Sequence, residues 1–193
     1  MAETKTKEGG RFSLGKQGSL VRFSASGYRP ITKRVEDLGQ DSEVTLKADP
    51  GGLWIPPQCQ VLRGPRMLTG DTMQFNLVSG GKIRRGQDID YQTNVVCHNR
   101  SCMQHGWGPL WSFGLPPWRE FPSAFSNVEE RDVQIRPNVE YKGNEYRGRR
   151  SDGTYMRFVG ILGETISYDH ATKDAAEYFD KVIDTLCWKS NGR

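Results

Sequence analysis

The sequence predicts a mainly β protein with an α+β C-terminal region. Gly 22 and Pro 10 among 193 residues favour many turns and short strands. Several segments alternate apolar and polar residues, a period of two that indicates strands with one buried face. From Asp169 onward the apolar residues recur at spacings of three and four, which indicates an amphipathic helix. We therefore expect an antiparallel sheet closed by one C-terminal helix.

The predicted elements follow one another along the chain. Strand patterns occupy residues 19–30, 43–48, 53–62, 73–83, 88–98, 131–137, 153–162 and 164–170. Gly80-Gly81 is a turn signal of the kind that joins two strands of a hairpin. Residues 99–127 are rich in Gly, Pro and Trp and predict a long irregular loop. The closing helix is expected to begin near Thr172 and to end near Trp188.

A strong turn divides the chain into two regions. Asp49-Pro50-Gly51-Gly52 combines the residues that favour turns, and it predicts a boundary between 1–49 and 53–193. Both regions are expected to be β-rich. The second is expected to be an α+β domain because it contains the helical pattern.

Charge and hydropathy exclude several classes of protein. Lys+Arg 27 against Asp+Glu 23 leaves a net charge of +4, too weak a bias to predict a nucleic-acid binder. No apolar run is long enough for a transmembrane helix. Residues 1–10 contain no apolar stretch, so the chain as written predicts a cytoplasmic product. If the true start lies upstream, a periplasmic or secreted location is expected instead.

Residues 10–46 resemble the second half of a carboxypeptidase regulatory-like domain. The resemblance rests on Gly-x-Phe-x-Leu at 10–14 and on Val-x-Phe-Ser-Ala-x-Gly-Tyr-x-Pro at 21–30, followed by Val44 and Leu46. It implies a Greek-key β-sandwich of the carbohydrate-binding-like fold, without catalytic residues of its own. The family's first strands have no counterpart here, so 1–49 is expected to form a partial sandwich. Either the second region completes this sheet or the true start lies upstream.

The resemblance also implies a class of ligand. Carboxypeptidase regulatory-like domains are scaffold or adhesive modules, which makes a carbohydrate or a cell-surface polymer the expected ligand. The strand-strand-helix order of the tail is similar to that of bacterial envelope proteins. The expected protein is therefore a non-enzymatic binding or scaffold module. An open sheet edge would give the alternative of a protein–protein assembly module that completes a neighbour's sheet.

Two thiols and two imidazoles lie within nine residues of one another. Cys97, His98, Cys102 and His105 are the residue types that zinc prefers as ligands. A zinc-binding protein built on these residues is therefore an alternative hypothesis. The competing interpretation is a surface loop with a Cys97–Cys102 bridge or with free thiols.

The four cysteines allow three pairings into two disulfides. For an exported chain we expect Cys59 to pair with Cys187 and Cys97 with Cys102, because closing a long loop constrains the unfolded chain most. In a reducing cytosol the same four residues would be free buried thiols.

An aromatic segment supplies the candidate ligand-binding residues. They are Trp107, Trp111, Phe113, Trp118 and Arg119. Indole faces stack on sugar rings or on proline-rich peptides because they offer a large area at low entropic cost. The alternative is that these rings build a small core under the long loop.

Two further features of the sequence bear on function: two basic clusters, and the absence of hydrolytic motifs. Lys82–Arg85 and Arg147–Arg150 are expected to be solvated turns between strands, because acidic residues dilute both clusters. The sequence contains no Gly-x-Ser-x-Gly, no His-Glu-x-x-His and no phosphate-binding loop. The sequence therefore favours binding over catalysis.

Overall fold

The computed structural model describes residues 20–25, 27–38, 44–49, 53–59, 67–87, 91–108, 124–134, 143–161 and 163–189. Within these ranges the chain is mainly β and carries a single α-helix near its C-terminus, which confirms the predicted fold class. No helix in the described ranges has the length and apolar character needed to cross a membrane.

Thirteen strands, one α-helix and one short 3-10 helix (Val35–Asp37) make up the described structure. The strands are β1 (Leu20–Phe23), β2 (Ile31–Arg34), β3 (Leu53–Trp54), β4 (Met67–Thr69), β5 (Met73–Asn76), β6 (Lys82–Gln87), β7 (Gln92–His98), β8 (Ser101–Trp107), β9 (Phe125–Val133), β10 (Gly143–Arg150), β11 (Tyr155–Ile161), β12 (Glu164–Ala171) and β13 (Cys187–Trp188). The helix α1 spans Lys173–Ile183.

The strands form two sheets. The large sheet has ten strands in the order β1-β2-β9-β10-β11-β12-β8-β7-β6, and β3 pairs with β9 beside this path. Its strand pairs are antiparallel except the short β3–β9 pair, which is parallel. The small sheet has the order β13-β5-β4. In the described chain, β6 and β1 therefore end the large sheet, and β13 and β4 end the small one.

The strands of the first region join the large sheet. β2 pairs with β9, where Ile31 lies opposite Glu129 and Lys33 lies opposite Asn127. Strand β9 of the second region is thus the pairing partner of β2 in the first region. The predicted strand at 43–48 is not a strand over its described residues 44–48, which contribute only an isolated bridge between Ala48 and Tyr28.

The main core lies between the large sheet, the small sheet and helix α1. Phe179, Val182 and Ile183 of the helix are fully buried against sheet residues such as Val159 and Ile166. A smaller cluster contains Phe125, Val128, Tyr146 and Met156. At roughly 25 cal/mol per Å² of apolar surface, removing these side chains from water is the main favourable contribution to folding.

Helix α1 begins where the sequence predicts and ends earlier. The hydroxyl of Thr172 accepts a hydrogen bond from the backbone N–H of Ala175, which is the N-cap interaction of a helix start. The helix ends at Ile183, whereas the apolar periodicity predicts an end near Trp188. The difference arises because Cys187 and Trp188 leave the helix to pair with β5.

The predicted irregular loop at 99–127 contains two strands at its ends. β7 and β8 form a hairpin whose turn residues, Asn99 and Arg100, have φ values of 44° and 65°. Two consecutive positive φ values are typical of a type I′ turn, whose twist matches that of a β-hairpin. The prediction missed this turn because Arg occupies the position where glycine is usual. Strand β9 begins at Phe125, also inside the predicted loop.

Both basic clusters lie in strands rather than in turns. Lys82–Arg85 belongs to the end strand β6, and Arg147–Arg150 belongs to β10 in the interior of the large sheet. The second cluster is compatible with a sheet interior because its charges have partners. Arg147 pairs with Asp180 of the helix, and Arg150 lies 2.7 Å from Asp169.

Candidate functional site

A cavity of about 550 Å³ lies between the two sheets, beside the end strand β4. Its walls come from Met67–Thr69 on β4 and from the neighbouring ends of β6, β7 and β8. The side chains of the large sheet at this cavity are mainly polar, with one indole. They are Arg85, Gln92, Asn94 and Trp107.

The register of the large sheet places these residues in two rows. Arg85 lies opposite Asn94, and Asn94 lies opposite His105 on the next strand. In the adjacent row Gln92 lies opposite Trp107, and Trp107 lies opposite Glu164. Opposite residues of antiparallel strands share a face of the sheet. The cavity wall is therefore continuous with a buried His–Glu pair behind it.

His105 and Glu164 form a buried polar pair next to the cavity. The imidazole Nε2 lies 2.6 Å from Glu164 Oε1, and both residues have 0% exposure. The other ring nitrogen, Nδ1, lies 3.3 Å from the amide nitrogen of Asn94. Because an unpaired polar group at this depth would be costly, the three side chains hold one another in place.

The second oxygen of Glu164 fixes the turn between β4 and β5. Oε2 accepts hydrogen bonds from the backbone N–H of Thr72 at 2.7 Å, from its hydroxyl at 2.7 Å and from the N–H of Met73 at 3.1 Å. The carboxylate thus links the small sheet to the large one, and these two sheets are the walls of the cavity.

The surroundings of Glu164 favour its ionised form. Burial raises the pKa of this carboxyl, but the hydrogen bond from His105 and the hydrogen bonds from Thr72 outweigh burial, so the pKa lies below its ordinary value. The site therefore contains a fixed negative charge behind its polar wall.

Aromatic rings enclose His105. The Trp107 ring stacks on the imidazole with centroids 4.7 Å apart, and Phe75 meets it edge-on at 4.9 Å. Trp107 itself is 9% exposed. Its indole is thus held in one orientation between the imidazole and the cavity, which reduces the entropic cost of contact with a ligand.

Of the predicted ligand-binding residues, Trp107 is the one that the described chain includes. It lies at the cavity. Trp111, Phe113, Trp118 and Arg119 lie outside the described residues.

The four predicted zinc ligands are not brought together. Cys97 lies opposite Cys102, while His98 lies opposite Ser101. Because side chains alternate along a strand, the cysteines occupy one face of the sheet and the histidines the other. The two histidines are also about 13 Å apart along the strands, at roughly 3.3 Å per residue. No set of three or more His, Cys, Asp or Glu in the described ranges is arranged for a metal ion.

The cysteines form two disulfides, Cys59–Cys187 and Cys97–Cys102. This is the pairing expected for an exported chain. A sulfur in a disulfide is not a thiolate, which is the form that ligates zinc. His98 has another role, since its ring stacks on Tyr178 with centroids 4.1 Å apart.

A second cavity, of about 460 Å³, lies near β2, β9 and β10. Three arginines line it, and each one has an acidic partner. Arg22 lies 3.2 Å from Glu130, Arg29 lies 2.9 Å from Asp49, and Arg131 lies 2.6 Å from Glu145. The arginines of this cavity are therefore already paired with carboxylates.

Sequence reasoning missed the role of Asn94 and Glu164. The signal was present in the alternation of Ser101, Met103, His105 and Trp107, which indicates a strand with His105 on its buried face. Assigning residues 99–127 to a loop hid this pattern. The link to Glu164 spans 59 residues, and no local pattern contains it.

No family model, no curated protein and no solved structure matches this chain. The site is therefore interpreted from its own geometry and chemistry.

Proposed function

We propose that this protein is a non-enzymatic binding module that holds a carbohydrate in the cavity at Trp107. The observation that carries the proposal is the combination of one fixed indole with a polar wall in a cavity of about 550 Å³. Sugars present an apolar ring face and a rim of hydroxyls. An indole packs against the face, while amide and guanidinium groups bond to the rim.

The wall supplies hydrogen-bond donors and acceptors. Gln92 and Asn94 carry amides, Arg85 carries a guanidinium, and Thr69 carries a hydroxyl. His105 is fully buried behind the wall and already bonded through both ring nitrogens. These features support binding rather than bond cleavage, in agreement with the resemblance of residues 10–46 to a carbohydrate-binding-like fold.

The two disulfides support a location in an oxidising compartment. Such bridges form and persist in the periplasm or outside the cell and are rare in a reducing cytosol. Envelope and cell-surface polymers occur in these compartments. We therefore infer that the ligand is a glycan of the cell envelope or its surroundings.

Titration calorimetry with methyl glycosides of glucose, galactose, mannose and N-acetylglucosamine, and with their short oligomers, tests the function. Arg85→Ala should weaken binding at least tenfold. Arg84→Ala is the matched control, because Arg84 lies opposite Val95 on the other face of the same strand. The proposal is wrong if the wild type binds no member of the panel, or if both variants bind equally well.

A second candidate function rests on the edge of β6. This strand ends the large sheet in the described chain, and Lys82–Arg85 are exposed along it. An end strand offers unpaired backbone groups to an extended segment of another chain. The basic side chains would select an acidic segment and repel a basic one.

A Val-Glu repeat peptide tests this candidate separately from the cavity. The double variant Lys82→Glu/Arg84→Glu changes only side chains on the face away from Arg85 and should abolish peptide binding. Lys181→Glu, on the exposed side of the helix, is the control and should retain binding. Unchanged binding by the double variant would exclude this edge.

A further inference from the structure

Asn94 connects the cavity to the buried His–Glu pair. Its side chain lines the cavity, and its amide nitrogen lies 3.3 Å from Nδ1 of His105. The residue is 4% exposed, so its amide is held in a fixed orientation. The direction of each hydrogen bond behind Asn94 therefore decides whether the amide oxygen or the amide nitrogen of Asn94 faces the cavity.

The chain of hydrogen bonds begins at Glu164, whose carboxylate oxygens only accept. Oε2 is occupied by the backbone N–H groups of Thr72 and Met73 and by the Thr72 hydroxyl. Oε1 therefore accepts from Nε2–H of His105 at 2.6 Å. The opposite nitrogen, Nδ1, faces an amide nitrogen, which only donates. Nδ1 thus carries a lone pair, and the imidazole is the neutral Nε2–H tautomer.

This tautomer sets the orientation of Asn94. The nitrogen and oxygen of an amide lie on opposite sides of its carbon, so the oxygen points away from His105 when the nitrogen faces it. Arg85 lies directly opposite Asn94 on β6, on the same face of the sheet. The cavity thus places a carbonyl acceptor beside a guanidinium that has only donors.

We propose that the cavity selects a neutral hydroxyl group, which donates to the Asn94 amide oxygen and accepts from the Arg85 guanidinium. Glu164 and His105 act as positioning residues that fix the amide. This inference rests on the proposed function and names the group that is recognised. A carboxylate has no proton to donate to Asn94, and an ammonium has no lone pair for Arg85. A sugar hydroxyl satisfies both partners at once.

The tautomer of His105 can be measured without any ligand. In ¹⁵N-histidine NMR of the wild type at pH 7, protonated and unprotonated ring nitrogens give well-separated signals. The chain has three histidines, so His98→Gln and His170→Gln variants identify the His105 signals. We expect a proton on Nε2 and none on Nδ1. A proton on Nδ1, alone or together with Nε2–H, would overturn the inference, because Asn94 would have to turn its oxygen to the ring.

The hydroxyl requirement is tested with the methyl glycoside that binds most tightly in the panel. Its monodeoxy analogues lose one hydroxyl each, and its mono-O-methyl analogues keep an acceptor but lose the donor. At one ring position we expect both analogues to bind at least tenfold more weakly. The Asn94→Leu variant should bind the parent glycoside and the analogue O-methylated at that position equally well. The Gln92→Ala variant should still bind the parent more tightly than that analogue.

The outcomes separate the inference from the function on which it rests. Equal binding of parent and O-methyl analogues at every position would overturn the hydroxyl requirement while leaving carbohydrate binding established. An Nε2–H tautomer in a protein that binds no glycoside would overturn the proposed function, with the orientation of Asn94 still supported.

Discussion

Glu164 accepts a 2.6 Å hydrogen bond from His105 across 59 residues of sequence, and neither side chain is exposed to solvent. The same carboxylate also bonds to the turn between β4 and β5. One buried charge thus holds the two sheets at the distance that leaves the cavity between them. Stability and the shape of the cavity consequently depend on the same residue.

Glu164→Gln should lower the free energy of unfolding at pH 7 by about 2–3 kcal/mol, since hydrogen bonds to charged groups contribute about this much. The pKa of Glu164 is lowered by folding. Its contribution is therefore present above the unfolded-state pKa of about 4.3 and is lost as pH falls through the lower folded-state pKa. Urea unfolding from pH 7 downward should show the wild type and the variant converging in acid. A constant difference at every pH would contradict this.

Gly70→Ala should destabilise the protein by about 1–3 kcal/mol, as overpacking of a close-packed interior does. A Cβ at this position would overlap Oε1 of Glu164 and lie 2.8 Å from Nε2 of His105. Gly86→Ala is the comparison, because its Cβ would lie 2.6 Å from the hydroxyl of a single side chain, Thr93, which can rotate away on an exposed strand. Thermal unfolding of both variants measures the difference. If both variants lose the same stability, the close approach of Gly70 to Glu164 and His105 does not determine the loss.

Arg157→Met should be strongly destabilising, by about 3–5 kcal/mol, because it removes a buried cation from Glu145 and Asp180, which Arg131 and Arg147 then neutralise only in part. Arg157 is 2% exposed and lies 2.7 Å from Glu145 and 3.1 Å from Asp180. Adding Glu145→Gln to this variant should recover part of the loss. Lys173→Ala is the control, since its partner Glu177 is 4.0 Å away on the exposed face of the helix, and little change is expected. Chemical denaturation measures all three variants.

Ionisation of Tyr168 provides a spectroscopic test of the same network. Burial raises the pKa of Tyr168 to about 12, and its hydroxyl donates to Asp180 at 2.9 Å. Because folding raises this pKa, its contribution to stability is present below the unfolded-state value of about 10 and is lost between about pH 10 and 12. An ultraviolet titration of tyrosinate should show a late step that Tyr168→Phe removes. The persistence of that step in the variant would assign it to another tyrosine.

Local patterns were sufficient for the elements that bury one regular face. The spacing of Ala175, Phe179, Val182 and Ile183 predicts helix α1, and Thr172 predicts its start. The hairpin at 92–107 was missed because its turn lacks glycine and its β8 strand lies beside a Gly- and Pro-rich segment. The pairing of β2 with β9 and the contact of His105 with Glu164 join distant parts of the chain. Such contacts depend on tertiary register, which a period of two does not encode.

The two disulfides should differ in their contribution to stability because they close loops of different length. Cys59 and Cys187 are separated by 128 residues, whereas Cys97 and Cys102 are separated by 5. The loss of unfolded-chain entropy predicts about 5 kcal/mol for the long loop and about 2 kcal/mol for the short one. Urea unfolding of Cys59→Ser/Cys187→Ser and Cys97→Ser/Cys102→Ser should therefore show the larger loss in the first pair. The same loss in both would mean that native contacts around each bridge, rather than loop length, determine its contribution.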